Sequence, residues 1–242
     1  MKAAVIIPSR YASSRFPGKA LALIKGKSLI ERVVERARQS KNADIVAVAA
    51  DDKRIFEKVK SIGGEVFMTP LDCKSGTDRI AFVAQKFLKN YDIFINIQGD
   101  EPLINPVLID RLIDELKNNP KLEFITAAYP FKDEAEAKDP NNVKVVFDKN
   151  GYALFFSRSL IPYNRDSNSV VHYKHIGIYG YKRDFLIAFS KYKTAVLEKA
   201  EVLEQLRALE YGHRIKVIIA DEDSVGVDVP HDVVLVEGLI DN

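Results

Sequence analysis

The chain contains one cysteine, Cys73, among 242 residues. A single thiol forms no intramolecular disulfide, and no neighbouring motif marks it as a reactive thiolate, so Cys73 reads as inert. No run of about 18 apolar residues occurs, which excludes a transmembrane helix. The opening MKAAVIIPSR puts Arg10 where a signal peptide would still be apolar, and the expectation is a cytoplasmic protein with no membrane insertion. An excess of either charge is also missing. With 36 Lys and Arg against 34 Asp and Glu, the net charge of +2 gives no broad pull toward nucleic acid or anionic lipid. Any anion must be bound locally. Internal repeats, low-complexity tracts and a domain linker are lacking too, and the expectation is a single domain spanning 1–242.

What is present is an alternation of short apolar runs with amphipathic ones. Residues 2–8 are an apolar, β-branched run closed by Pro8-Ser9-Arg10, a buried parallel strand entering a loop. The loop reaches about Lys27. Ser28 then precedes a helical pattern with Leu29, Ile30, Val33, Val34 and Ala37 on one face, and Ser28 with Glu31 has capping-box spacing. Strand 44–50, helix 52–61, strand 64–68, helix 77–88 and strand 91–97 repeat the unit. Such alternation predicts an α/β fold, a mainly parallel sheet with flanking helices and right-handed crossovers. From residue 122 the texture changes to longer β-like runs, 122–130, 143–148 and 152–157, which read as a smaller inserted sheet. The polar connections 130–142 and 162–169 are the segments expected to move most. Strand 176–181, a helix over 197–211, strand 214–220, the loop 221–230 and a last helix complete the chain.

Chemistry concentrates in three places. The first loop, Ser9-Arg10-Tyr11-Ala12-Ser13-Ser14-Arg15-Phe16-Pro17-Gly18-Lys19, sets three cations between a strand and the next helix. Arginines grip phosphate oxygens in pairs and a lysine adds a movable point charge. The spacing is not that of a Walker loop, so side chains rather than a glycine backbone would hold the phosphates. Charge alone also suits a solvated basic loop; its position after the first strand favours a ligand. Strand 91–97 ends in Gln98-Gly99-Asp100-Glu101-Pro102, where open parallel sheets bind ligands. Asp100 is the better candidate there for a hard Mg²⁺, although an isolated Asp-Glu-Pro suits a turn or helix cap equally. Asp228, in Gly226-Val227-Asp228-Val229-Pro230, offers a second carboxylate past another strand. Two carboxylates holding Mg²⁺ at an α-phosphate, with Arg10, Arg15 and Lys19 offsetting charge on departing pyrophosphate, would activate a nucleoside triphosphate. Such chemistry is positioning and electrostatics, and the absence of a serine or cysteine triad costs it nothing.

Several strings resemble the signatures of the 3-deoxy-manno-octulosonate (Kdo) cytidylyltransferases, or CMP-Kdo synthetases: IIPSRYASSRFPGKAL, SGTDR, NIQGDEPLI, DPNNVKVV, YALFFSR, HIGIYGY, LEQLRALEYG and GVDVP, in the expected order. The resemblance implies a fold of the nucleotide-diphospho-sugar-transferase type, a homodimer, and attack of the Kdo anomeric hydroxyl on the α-phosphate of CTP to give CMP-Kdo and pyrophosphate for lipopolysaccharide synthesis. By resemblance, Arg10, Arg15 and Lys19 bind the triphosphate, and Asp100 with Asp228 hold magnesium. Pro8, Ser9, Ser75, Gly76, Thr77 and Asp78 would lie around cytosine and ribose. Sugar recognition would fall to Gln98, Arg158, His175, Tyr179 and Gln205, with Glu204 and Glu210 nearby. Kdo is a carboxylate that Arg158 can pair with, and His175, Tyr179 and Gln205 supply the directional donors and acceptors a polyol needs. Taken singly, each also suits a strand aromatic, a core histidine or a surface glutamine. Departures from the family pattern, Ser9 for alanine, Ala20 for proline, Asp78 for glutamate, Val229 and His231, spare the cations and both carboxylates.

Three other readings stand beside this one. An 8-amino Kdo analogue or another sugar acid changes only the substrate, a non-catalytic nucleotide-binding regulator keeps the fold without turnover, and a nucleic-acid-binding module lacks both a basic field and a stacking motif.

Overall fold

The β-branched run at the N-terminus does form a strand, β1 (Ala3–Ser9), covered on both faces. Its side chains alternate between two cores: Ala3, Val5 and Ile7 belong to one, Ala4 and Ile6 to the other. That double burial is why the run reads as continuously apolar rather than alternating. The computed structural model describes residues 1–12, 16–166 and 170–240.

The other strands are β2 (Leu23–Ile24), β3 (Lys27–Ser28), β4 (Ile45–Ala50), β5 (Glu65–Met68), β6 (Ile93–Asn96), β7 (Phe124–Pro130), β8 (Lys144–Phe147), β9 (Ala153–Ser157), β10 (Tyr173–Lys182) and β11 (Lys216–Ile219). The main sheet has the order β11-β7-β10-β6-β1-β4-β5. Within that path β10 runs against both its neighbours, β6 and β7, and the remaining pairings are parallel. β2 and β3 form a separate two-stranded sheet.

Helices α1 (Leu29–Ala37), α2 (Lys53–Ser61) and α4 (Pro106–Asn118) cover one face, and α3 (Gly76–Lys86) and α6 (Arg183–Phe189) the other. The Ser28–Glu31 capping box forms as its spacing predicts. Two short helices follow α6, namely α7 (Val196–Glu201) and α8 (Gln205–Glu210), after the short α5 (Glu134–Lys138); α9 (Pro230–Ile240) closes the described chain.

The mainly parallel α/β sheet with flanking helices is the expected fold class. Two details differ. The run 122–130, grouped with the inserted strands, is a member of the main sheet as β7, while the annex consists of the β8–β9 hairpin hung on β10 through Lys144 and Lys174. The single helix expected over 197–211 is two, because Val202 adopts a left-handed φ of 55° that no α-helix continues through. The segment that becomes α4 carried no expectation, although Asn105 before Pro106 is a cap with proline at N1.

Strand order reverses beside β1: the chain builds outward to β4 and β5, then returns to lay β6 on the other side of β1. A crevice opens at the carboxyl ends of strands at such a point. Ser9-Arg10 and Gln98-Gly99-Asp100 leave their strands there.

Candidate active site

The crevice is a cavity of about 360 Å³ whose walls include Pro8, Ser9 and Arg10 after β1, Lys19, Gly76 at the start of α3, Gln98 and Asp100 after β6, and Asp228. Two glycines let these elements meet. A Cβ on Gly99 would stand 3.0 Å from the Pro8 carbonyl oxygen, and one on Gly76 3.1 Å from Pro8 Cγ. Lys19 enters from a single 3₁₀ turn, Lys19–Leu21, launched by Gly18 at φ 69°.

Lys19 Nζ lies 2.6 Å from an Asp100 carboxylate oxygen and 3.4 Å from one of Asp228. Two acidic side chains far apart along the chain therefore converge on one cation. Among the described residues no cluster of three or more His, Cys, Asp or Glu is arranged to hold a metal ion. A pair of hard carboxylates, one past β6 and one just before α9, nevertheless fits Mg²⁺, which keeps most of its shell for water and phosphate oxygens, and the ammonium between them shows that the pair already accommodates positive charge.

The two carboxylates are held differently. Asp100 belongs to a turn closed by Glu101 N donating to Gln98 O at 3.2 Å, and its own carbonyl accepts from Val227 N at 2.8 Å. Asp228 precedes α9, where the Asp232 carboxylate accepts from the backbone N–H groups of Asp228 and Val229 at 2.7 and 2.9 Å. Glu101 turns inward instead. Burial pushes its carboxyl up to about 7, against the pull of the Ser224 hydroxyl that donates to it.

The expected sugar-binding residues sit at the same end of the sheet. His175 and Tyr179 flank a bulge in β10 that breaks register between Ile176 and Tyr179. Thr126 Oγ1 donates to Ile178 O at 2.7 Å, so the ring nitrogen of His175 that lies 3.0 Å from Oγ1 carries the hydrogen. Burial lowers His175 to about 3, and the ring is neutral at ordinary pH. Tyr179 OH donates to Gln205 Oε1 at 3.4 Å; burial, then the nearby Glu204 carboxylate, raises the phenol's pKa. Gln205 Nε2 is buried with no hydrogen-bond partner among the described residues, a donor open to a water or a ligand. Gln98 lies against the bulge, since a Cβ on Gly177 would be 3.5 Å from its Cγ.

Other expected residues are placed less simply. Arg158 is not brought to the cavity that holds Lys19; its Nε donates to Glu201 O at 2.8 Å and an Nη to Pro140 O at 3.0 Å. Ser75 caps α3 by accepting from Asp78 N, and Thr77 is buried, donating to Glu204 at 2.6 Å. Ser75, Asp78 and Glu204 face a larger cavity of about 1340 Å³ between α3 and the 190–199 segment, so the group 75–78 is divided between two spaces. Burial raises the Glu204 carboxyl. Glu210 accepts from Leu197 N at 2.8 Å and ties α7 to α8. Arg15 lies outside the described residues, as do 167–169 of the second polar connection.

Sequence reasoning missed Glu101, Ser224 and Asp232 as supports of the carboxylate pair. Asp232 had a signal, an acid three residues beyond Val229 at the start of a helix. It also missed Lys144, whose fully buried ammonium donates to the carbonyls of Asp139, Asn142 and Arg158 at 3.0, 2.6 and 2.6 Å and so fastens the base of the annex.

A mainly parallel α/β sheet with cations and paired carboxylates at its switch point fits a nucleotidyltransferase, and the sequence model of the cytidylyltransferase family matches residues 4–215. A curated 8-amino-3,8-dideoxy-manno-octulosonate cytidylyltransferase of Shewanella amazonensis is 48% identical over 96% of this chain and 96% of its own. A 3-deoxy-manno-octulosonate cytidylyltransferase of Fusobacterium nucleatum is 50% identical over 94% of this chain and 92% of its own. A solved CMP:2-keto-3-deoxy-manno-octonic acid synthetase complexed with CTP superposes with a TM-score of 0.95 at 41% identity, covering 100% of this chain and 99% of that one. The chain belongs to the 3-deoxy-manno-octulosonate cytidylyltransferase (CMP-Kdo synthetase) family.

Proposed function

We propose that the protein couples Kdo to CTP, releasing pyrophosphate and CMP-Kdo for lipopolysaccharide synthesis, as a magnesium-dependent cytoplasmic homodimer. The observation that carries the site is the convergence of Asp100 and Asp228 on Lys19 beside Arg10 at the switch point. In this reading Asp100 and Asp228 would hold the ion, which would supply neutralising positive charge for the α-phosphate. The anomeric hydroxyl oxygen bonds to the α-phosphorus as the bond to the pyrophosphate oxygen breaks, and the hydroxyl proton passes to solvent. Lys19, Arg10 and Arg15 bind the triphosphate and meet the charge on the departing pyrophosphate. Pro8, Ser9 and Gly76 border the nucleoside, while Ser75, Thr77 and Asp78 are assigned to it on resemblance. Gln98, His175, Tyr179 and Gln205 face the sugar, supported by the unsatisfied Gln205 donor. Arg158 is assigned to the sugar on resemblance, and reaching its carboxylate requires side-chain rearrangement from the carbonyls it now serves. For the homodimer, exposed Tyr163 and Val171 beside the 131–138 segment supply apolar surface.

The Shewanella relative, named for the 8-amino sugar, favours a second reading in which that analogue is the substrate. Pyrophosphate release from CTP with Kdo, its 8-amino analogue and N-acetylneuraminate separates them. Kdo is expected to be used best; release only with the other two rejects Kdo. Asp100→Ala is expected to abolish turnover while leaving the melting temperature unchanged. A wild-type protein that binds CTP and never releases pyrophosphate overturns the enzymatic reading.

A further inference from the structure

Glu101 is adjacent to Asp100 yet takes no part in the crevice, and its surroundings assign it a separate task. The loop carrying Asp228 has to cross from β11 to α9 and arrive with its carboxylate beside Asp100. Nearer β11 the loop is held by Arg111 donating to Asp221 and Asn105 donating to Glu222, and further ties act closer to Asp228. Ser224 Oγ donates to the Glu101 carboxylate. Val227 N donates to Asp100 O at 2.8 Å. On the far side Lys174 of β10 reaches both Asp223 carboxylate oxygens at 3.0 Å. The loop is seated closely, since a Cβ on Gly226 would be 3.4 Å from a Glu101 carboxylate oxygen, and Val227 is fully buried.

The Val227 and Lys174 ties act on neighbouring points, one on the backbone of Asp100 and one at the loop's outer edge. The Glu101–Ser224 bond joins a side chain adjacent to Asp100 to a side chain of the loop that carries Asp228. We infer that Glu101 is a positioning residue, a latch that, through Ser224, sets the separation of Asp100 and Asp228 and so the affinity of that pair for a divalent cation. The inference rests on the reading of Asp100 and Asp228 as the metal pair. A latch of this kind works by the hydrogen bond it accepts, so an amide oxygen in place of the carboxylate serves equally.

The test is Mn²⁺ binding in the presence of CTP, followed by electron paramagnetic resonance on the intact protein, with wild type compared with Glu101→Ala, Glu101→Gln, Ser224→Ala and Asp100→Asn. Losing an outer-shell partner weakens a metal site by about 10-fold or more, so Glu101→Ala and Ser224→Ala are expected to weaken Mn²⁺ binding about 10-fold. Glu101→Gln is expected to stay near wild type. Where Glu101→Ala does not fold, Ser224→Ala carries the measurement, because it removes only a hydroxyl at the loop. If Asp100→Asn binds Mn²⁺ as wild type does, the metal pair itself is wrong and the latch falls with it. If Asp100→Asn loses the ion while Ser224→Ala and Glu101→Ala keep it, the latch alone is overturned. Equal weakening by Glu101→Gln and Glu101→Ala also overturns it, by showing that charge rather than hydrogen bonding matters.

Discussion

Asp100 and Glu101 are chemically alike and adjacent, and the fold sends them in opposite directions: Asp100 toward Lys19 and solvent, Glu101 toward Ser224 and the interior. For Glu101 burial has a consequence, since a carboxylate surrounded by protein favours its proton. Lys19 is the hinge of the site's electrostatics. Its ammonium is shared by two acids in this structure, and in the proposed reading a divalent cation taking that place would leave it for phosphate. Removing one such preorganised charge costs roughly 100-fold or more in turnover, so Lys19→Ala is expected to lower kcat by about that factor. The KM for Kdo should move far less. A selective rise in that KM, measured by steady-state kinetics of pyrophosphate release, contradicts the placement of Lys19 at the phosphates.

At the scale of elements, function follows from how closely two strand ends approach. β1 and β6 pair through Ile6 and Asn96, and just beyond, Gly99 faces the Pro8 carbonyl. A methyl group there meets a backbone oxygen that cannot rotate away. Gly99→Ala is therefore expected to spread the two tips, costing about 1–3 kcal/mol of stability by overpacking. Turnover should fall more than that implies, by about 100-fold, because small misplacements of reacting groups are magnified in rate. Chemical denaturation and kcat on the same preparation check both parts; loss of stability with unaltered kcat refutes the link between strand spacing and catalysis. The β10 bulge belongs to the same scale. Without the register shift between Ile176 and Tyr179, strict alternation would carry His175 and Tyr179 past the positions they now hold against Thr126 and Gln205.

Across the whole molecule, burying a site has a consequence for folding. His175 titrates near 6.5 when exposed and near 3 in the folded protein. Between those values the unfolded chain holds a proton that the folded chain does not, so stability is present above 6.5 and is lost as pH falls toward 3. At pH 5 the loss from this one residue relative to pH 7 amounts to about 2 kcal/mol. His175→Gln is expected to lose about 2 kcal/mol less than wild type between those two pH values, in denaturant titrations at each. Parallel losses in the two proteins show that His175 is not the buried titrating group.

The sequence by itself determined the strands with both faces apolar, the capped helix after Ser28, the cationic loop and the two carboxylates at element ends. Each is encoded by residues a few positions apart, where periodicity, capping and turn chemistry act. The family strings added expectations of which side chains serve which ligand. Only the tertiary structure decided that Lys19 lies between Asp100 and Asp228, that Glu101 faces inward to Ser224, that Arg158 is engaged by Glu201 and Pro140, and that Ser75 and Gly76 face different cavities. Those outcomes depend on strand order, register and the path of crossovers. Contacts between residues far apart along the chain exist only once the sheet has assembled, and no local pattern specifies them.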